Sequence, residues 1–346
     1  MYGRDAVCLC VDARMLIPAF FVACSVKRAA AAAGDEFDIV IVVPPGDLMP
    51  EHRSFAASRG IIVDDTLDTS AVGRIVVQQR RLSPATLVKL LLARHFLGRY
   101  RRIIYLDADL TIHGNVGTLF RLDMGDYPLA AVPAGRIWQD QPDAERDRTF
   151  AHFAALGMTF PYRYFNAGVL VIDPGNWCRE KLDQRTVAFL RQHPDLCQLP
   201  DEDALNAVLD GELLELSPIW NISPKRFVRG QLNPIILHYT GHNKPWLRFR
   251  KYKRVFEHHE AYCLYAEFLK DTPWPDWLSS QWSTEDLAGS LRHEVSTAIE
   301  WLLRKHPLAD RSRRAAFDEE QRRYFEKTLF VDVEQGLVDL PILAVS

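Results

Sequence analysis

The run Ile103-Ile104-Tyr105-Leu106-Asp107-Ala108-Asp109-Leu110 constrains this chain more than any other segment. β-branched, aromatic and aliphatic residues followed by two carboxylates one residue apart read as a buried strand ending in an acidic turn. Similar strands lie upstream. Residues 7–11 form an apolar strand ending at Asp12, residues 16–33 an Ala-rich helix closed by Gly34, and residues 37–43 a second strand stopped by Pro44-Pro45-Gly46. A helix over residues 51–59 stops at Gly60, residues 61–63 make a third strand, and Ser83-Pro84 opens a helix that runs toward Phe96 and ends at Gly98. A capping hydroxyl followed by proline is a strong helix start, because proline's missing amide donor is not needed there. Strands alternating with helices predict an α/β fold with a Rossmann-like, mostly parallel, doubly wound sheet. Ligands in such sheets gather beyond the carboxyl ends of the strands. Asp107 and Asp109 therefore stand where two hard oxygen donors suit a divalent cation carrying a phosphorylated ligand. Taken alone, Asp-Ala-Asp reads equally as an acidic turn.

The second half continues the pattern. Residues 129–132 form a strand, residues 140–148 a charged mobile loop or short helix, and residues 164–173 a strand with a polar interruption at its start. Residues 177–192 are helical. Asp201-Glu202-Asp203 opens a helix reaching Leu209, where acidic side chains suit the helix dipole. A late strand over residues 235–239 carries His238 at its end. From about Asp271 the pattern changes: Trp274, Trp277 and Trp282 come close together, and an amphipathic, charge-rich helical tail follows. This divides the chain into a strand-and-helix domain over residues 1–270 and a helical C-terminal extension over residues 271–346.

The 42 basic and 45 acidic residues give a net charge of -3, which provides no global field for nucleic acid. Six cysteines show no metal-type spacing, and Cys8 and Cys10 alternate along one strand toward one buried face, as reduced thiols of a cytosolic protein do. No stretch is expected to span a bilayer. Residues 16–24 have the look of a short secretory core, but Asp12 and Arg14 interrupt its N-terminal side and no basic cluster precedes it.

Four motifs then occur in one order: Tyr-Leu-Asp-Ala-Asp ending at Asp109, Phe-Asn-Ala-Gly-Val around Asn166, Asp-Glu-Asp-Ala-Leu-Asn from Asp201, and His-Tyr-Thr-Gly-His-Asn-Lys-Pro-Trp from His238 to Trp246. Over roughly residues 7–246 the chain resembles glycosyltransferase family 8, the retaining sugar-nucleotide-dependent transferases that include bacterial lipopolysaccharide galactosyl- and glucosyltransferases and glycogenin. The resemblance implies a GT-A type fold and a nucleoside-diphosphate hexose, UDP-glucose or UDP-galactose, as donor. The acceptor it implies is a glycan such as lipopolysaccharide. Asp107, Asp109 and His238 would hold the metal, for which mixed carboxylate and imidazole ligands favour Mn²⁺ over Mg²⁺. Donor contacts would come from Asp12, Lys89, Ala108, Asn166, Ala167, Gly168, Gly241 and Lys244. Lys89 stands where the family commonly has an Arg, which keeps the charge but loses the bidentate fork.

Asp201, Glu202 and Asp203 would be the catalytic triplet. The family usually has Gln where this chain has Glu202, so a carboxylate is expected near the anomeric carbon, as an electrostatic stabiliser or a nucleophile. Two other readings compete. One is a haloacid dehalogenase-like phosphatase with Asp107 as nucleophile and Asp109 as acid/base; that motif normally opens its domain, whereas a βαβ-like region precedes it here. The other is a non-catalytic sugar-nucleotide-binding protein. The basic run over residues 248–254 and the tail over residues 299–323 read either as solvated faces or as peripheral contacts with an anionic membrane.

Overall fold

The computed structural model describes residues 4–73, 75, 85–134, 143–224, 234–241, 244–247 and 255–281. The basic run over residues 248–254, Ser83-Pro84, Trp282 and the C-terminal tail lie outside them.

In chain order the elements are β1 (Arg4–Cys10), α1 (Leu16–Ala33), β2 (Asp38–Val42), α2 (Pro50–Ser58), β3 (Ile62–Asp64), α3 (Ala85–Val88), α4 (Leu92–His95), β4 (Tyr100–Leu106), β5 (Leu110–Ile112) and β6 (Leu129–Pro133). They continue with α5 (Asp143–Ala155), β7 (Phe165–Ile172), α6 (Pro174–Arg179), α7 (Leu182–Gln192), α8 (Pro200–Leu209), β8 (Leu214–Glu215), β9 (Ile236–His238), α9 (Val255–Lys270) and α10 (Trp277–Ser280).

A seven-stranded sheet has the order β3-β2-β1-β4-β7-β6-β8. β3, β2, β1 and β4 are parallel, β7 runs antiparallel to both β4 and β6, and β8 is parallel to β6. The sheet is thus mostly parallel with one reversed strand, as expected of a GT-A type fold. That reversal matters for function. It sets the beginning of β7 beside the end of β4, so that the amide of Asp107 donates to the carbonyl of Gly168 at 2.8 Å. Beyond this edge a two-stranded ladder, β5 with β9, pairs Leu110 with His238.

Helix α1 has the expected bounds, and Gly34 ends it in the left-handed conformation at φ 73° that glycine adopts without strain. The span Ala13–Ala33 is long and apolar enough to cross a membrane by length and composition, contrary to the sequence expectation. In this fold it is a core helix: Leu16, Ala19, Phe20, Val22, Ala23 and Val26 are fully buried. Two helical expectations change. The charged segment near residue 143 forms the 13-residue helix α5. The single helix expected over residues 177–192 is two, broken where Lys181 takes φ 53°.

Sequence composition changes at Asp271, but the packing continues past it. Phe21 stacks on Tyr265 of α9 with ring centroids 3.8 Å apart, Phe20 stacks on Trp274 at 5.7 Å, and Trp277 meets Trp246 at 5.9 Å. Residues up to Leu278 therefore share the core of α1, because aromatic side chains on both sides of the expected boundary interdigitate. Phe20→Ala, which empties the centre of this cluster, is expected to cost about 3–5 kcal/mol, read as a shift of the urea unfolding midpoint.

Candidate active site

Asp107 and Asp109 stand just beyond the end of β4, and the β5–β9 ladder delivers His238 to them from the far end of the chain. His238 Nε2 lies 3.6 Å from Asp107 Oδ2 and 3.2 Å from Asp109 Oδ1. One ligand atom from each residue falls within 4.8 Å of the others, a span that one cation can bridge. His238 and Asp109 are buried and Asp107 is partly open. The other ring nitrogen of His238, Nδ1, meets Asn221 Oδ1 at 2.9 Å. An acceptor there places the proton on Nδ1 and leaves Nε2 free to ligate, the second contact that metal-binding histidines usually carry. The donor set therefore fits a divalent cation.

Space for His238 comes from Gly168. A Cβ on that residue would stand 2.2 Å from His238 Cε1 and 2.9 Å from Asp107 Oδ2. The glycine expected to line a sugar pocket is thus also what lets imidazole and carboxylate meet. Gly241 has a different reason to be glycine: its φ is +76°, and a Cβ there would meet nothing within 4 Å.

Lys89 is 1% exposed. Its ammonium reaches Asp201 Oδ2 at 2.8 Å, Asp107 Oδ1 at 3.2 Å and the carbonyl of Ala167 at 3.0 Å, and it lies 4.5 Å from the centre of the Tyr105 ring. Burial disfavours the charged amine, but Asp107 and Asp201 outweigh it and raise its pKa above the usual lysine value. Its three donors are thus turned inward, so the structure makes Lys89 an internal counter-ion where a donor contact was expected. Tyr105 Oη adds a 2.5 Å hydrogen bond to Asp107 Oδ1. On the more open side Lys244 donates to Asp109 Oδ2. Burial alone would raise the pKa of Asp109; Lys244 and His238 reverse this and hold the carboxyl well below the usual carboxylate range.

The acidic triplet at the head of α8 splits. Asp201 pairs with Lys89, whereas Glu202 Oε2 accepts from Asn166 Nδ2 at 2.7 Å and from the amide of Ala167 at 3.1 Å. Asp203 does not join them. It is fully buried and accepts from Tyr164 Oη at 2.6 Å and the amide of Leu199 at 2.9 Å, with His152 Nε2 at 3.2 Å. Its role is to fasten the head of α8 to α5 and the approach to β7. Successive helical residues point about 100° apart, so adjacent acids cannot all face one site.

The side chain of Asp12 caps the turn after β1, accepting from the amide of Arg14 at 3.1 Å and pairing with its guanidinium at 2.7 Å. Ala108 is buried among core residues. Sequence reasoning missed Asn221 and Tyr105. Nothing local marks Asn221, and Tyr105 looks like an ordinary apolar strand residue.

The family model for glycosyl transferase family 8 matches residues 8–250. The chain belongs to glycosyl transferase family 8. It is 29% identical over 181 residues to General stress protein A of Bacillus subtilis (strain 168), covering 47% of this chain and 59% of that protein. It is 26% identical over 187 residues to a lipopolysaccharide 1,2-glucosyltransferase of Escherichia coli (strain K12), covering 51% of each. The chain thus spans about half the length of the curated relatives it matches. Among solved structures, the galactosyltransferase LgtC, in complex with donor and acceptor sugar analogs, superposes with a TM-score of 0.62 at 20% identity, over 76% of this chain and 95% of that one. That likeness shows the shared fold.

Two substitutions test this family-8 site. Gly168→Ala is expected to lower Mn²⁺ affinity at least about tenfold, measured by calorimetry, because the added methyl displaces His238. Lys89→Met is expected to cost about 3–5 kcal/mol in urea unfolding, because it strands Asp107 and Asp201 without their counter-ion.

Proposed function

We propose that this protein is a metal-dependent retaining glycosyltransferase that moves a hexose from a nucleoside-diphosphate sugar, UDP-glucose or UDP-galactose, to a glycan acceptor of the cell envelope such as lipopolysaccharide. The observation that carries the reading is the convergence of Asp107, Asp109 and His238 from distant parts of the chain within 4.8 Å. Family membership and the relative named as a lipopolysaccharide 1,2-glucosyltransferase support the reaction and acceptor class.

Asp107, Asp109 and His238 would hold the cation, with Mn²⁺ the better match to mixed oxygen and nitrogen ligands and Mg²⁺ an alternative. When bound, the metal supplies a Lewis acid that neutralises the charge growing on the diphosphate leaving group. Lys244 is the part-exposed partner of Asp109. As a flexible point charge it is free to exchange that carboxylate for the diphosphate. Gly241 forms the turn before it. Asp12 marks the nucleotide end of the crevice, because β1 and β4 are parallel neighbours whose ends open on the same edge.

Asp201 and Glu202 face the donor sugar. The two hydrogen bonds on Glu202 Oε2 hold the carboxylate in one place. Held there, the carboxylate is placed to act as an electrostatic stabiliser of an oxocarbenium-like state, and the intact mass of the protein after incubation with donor alone separates this role from a nucleophilic one. The proposed setting is the cytoplasm, peripheral to the inner face of the membrane, because the basic composition of residues 248–254 suits anionic lipid.

The test is a panel of nucleotide sugars incubated with and without Mn²⁺. One UDP-hexose is expected to be turned over with Mn²⁺ and not with EDTA. Asp109→Asn should lower kcat/KM roughly a hundredfold or more, the rate equivalent of several kcal/mol, and donor without acceptor should leave the intact mass of the protein unchanged. Binding without turnover of any donor would replace this reading with the non-catalytic one. Hydrolysis of a simple aryl phosphate, abolished by Asp107→Asn, would replace it with the phosphatase.

A further inference from the structure

His238 and Glu202 are joined by two asparagines. His238 Nδ1 lies 2.9 Å from Asn221 Oδ1, Asn221 Nδ2 donates to Asn166 Oδ1 at 2.9 Å, and Asn166 Nδ2 donates to Glu202 Oε2 at 2.7 Å. An asparagine amide offers oxygen on one side and nitrogen on the other, so a chain of them has a direction that something must fix. Two backbone groups fix it here. The amide of Gly168, which can only donate, reaches Asn166 Oδ1 at 3.1 Å, and the amide of Ala167 reaches Glu202 Oε2 at 3.1 Å. Both anchors require Asn166 to turn its nitrogen to Glu202 and its oxygen to Asn221. Asn221 must then turn its nitrogen to Asn166 and its oxygen to His238. That oxygen only accepts, so Nδ1 keeps its proton, and Nε2, the nitrogen turned toward Asp107 and Asp109, is the one that yields its proton to a cation.

We propose that Asn221 is a positioning residue that locks His238 in the cation-ligating tautomer, and that Asn166 couples this lock to Glu202. The proposal rests on the metal-dependent reading above and adds to it. The sugar-side carboxylate and the metal site become one hydrogen-bonded unit, and a change at residue 202 is felt at the cation without touching it. It also gives Asn166 a role besides sugar recognition, since its amide oxygen and nitrogen are both engaged within the protein.

The experiment titrates Mn²⁺ alone, without nucleotide sugar, into the full chain and reads free Mn²⁺ by electron paramagnetic resonance. Asn221→Leu is expected to weaken binding about 10–100-fold. Glu202→Gln should bind as the unsubstituted protein does, because the amide oxygen still accepts from Asn166 and Ala167. Glu202→Leu should weaken binding roughly threefold to tenfold, and the double variant Glu202→Leu/Asn221→Leu no more than Asn221→Leu alone, the non-additivity of residues acting in one chain. Unchanged affinity in Asn221→Leu, unchanged affinity in Glu202→Leu, or losses that multiply in the double variant would overturn the proposal. A second measurement needs no substitution: nitrogen-15 spectra of the Zn²⁺-loaded protein should show His238 protonated at Nδ1, and a proton on Nε2 instead overturns it. Failure of the unsubstituted protein to bind Mn²⁺ would remove the metal-dependent reading itself, a different result from any of these.

Discussion

Four carboxylates crowd the edge of the sheet where β4 ends and α8 begins: Asp107, Asp109, Asp201 and Glu202. Buried charges persist only when paired or hydrogen-bonded: Glu202 accepts from the amides of Asn166 and Ala167, and the other three pair with two lysines. Lys89 is enclosed and spans Asp107 and Asp201. Lys244 neutralises Asp109 from the more open side. One counter-ion belongs to the fold and the other stands at the mouth of the site. The enclosed lysine gives Asp107 and Asp201 a counter-charge that belongs to the protein itself.

Topology puts these groups within reach of one another. In an all-parallel sheet the residues that begin a strand lie at the opposite edge from those that end its neighbour. Because β7 runs against β4, Gly168 instead meets Asp107 directly, with Asn166 and Ala167 just before it in the chain. The small β5–β9 ladder does the same for His238, and the pairing of Ile222 with Leu237 brings Asn221 alongside it. Each approach is made by backbone hydrogen bonds, so the side chains at the site inherit their positions from a rigid frame. At Gly168 a side chain would collide with both His238 and Asp107.

Much of this was legible in the sequence, for identifiable reasons. Apolar strands that end in paired carboxylates announce themselves, and so Asp107 and Asp109 were found with the strand that carries them; His238 was found through its resemblance to the family motif that ends at Trp246. Helix α1 was bounded correctly because Gly34 marks its end. The acidic triplet was legible as a helix start and, through the resemblance, as a site, but adjacency in a helix separates side chains by angle: Asp203 turns to Tyr164 and His152, Asp201 to Lys89 and Glu202 to Asn166. Lys89 was recognised as a cation, but its burial was invisible, since a lysine in an apolar helix reads the same whether it faces solvent or a buried carboxylate. The boundary at residue 271 was drawn from composition, whereas Phe20, Phe21, Trp274 and Trp277 pack across it.

The sequence by itself determined the alternation of strands and helices, through local periodicity, and its four ordered motifs named Asp107, Asp109 and His238 as cation ligands through their resemblance to one family. Only the tertiary structure decided how those residues are brought together, which lysine is enclosed, and which way the amides of Asn166 and Asn221 point. These depend on strand direction and on hydrogen bonds between residues far apart in the chain, and neither leaves a local mark.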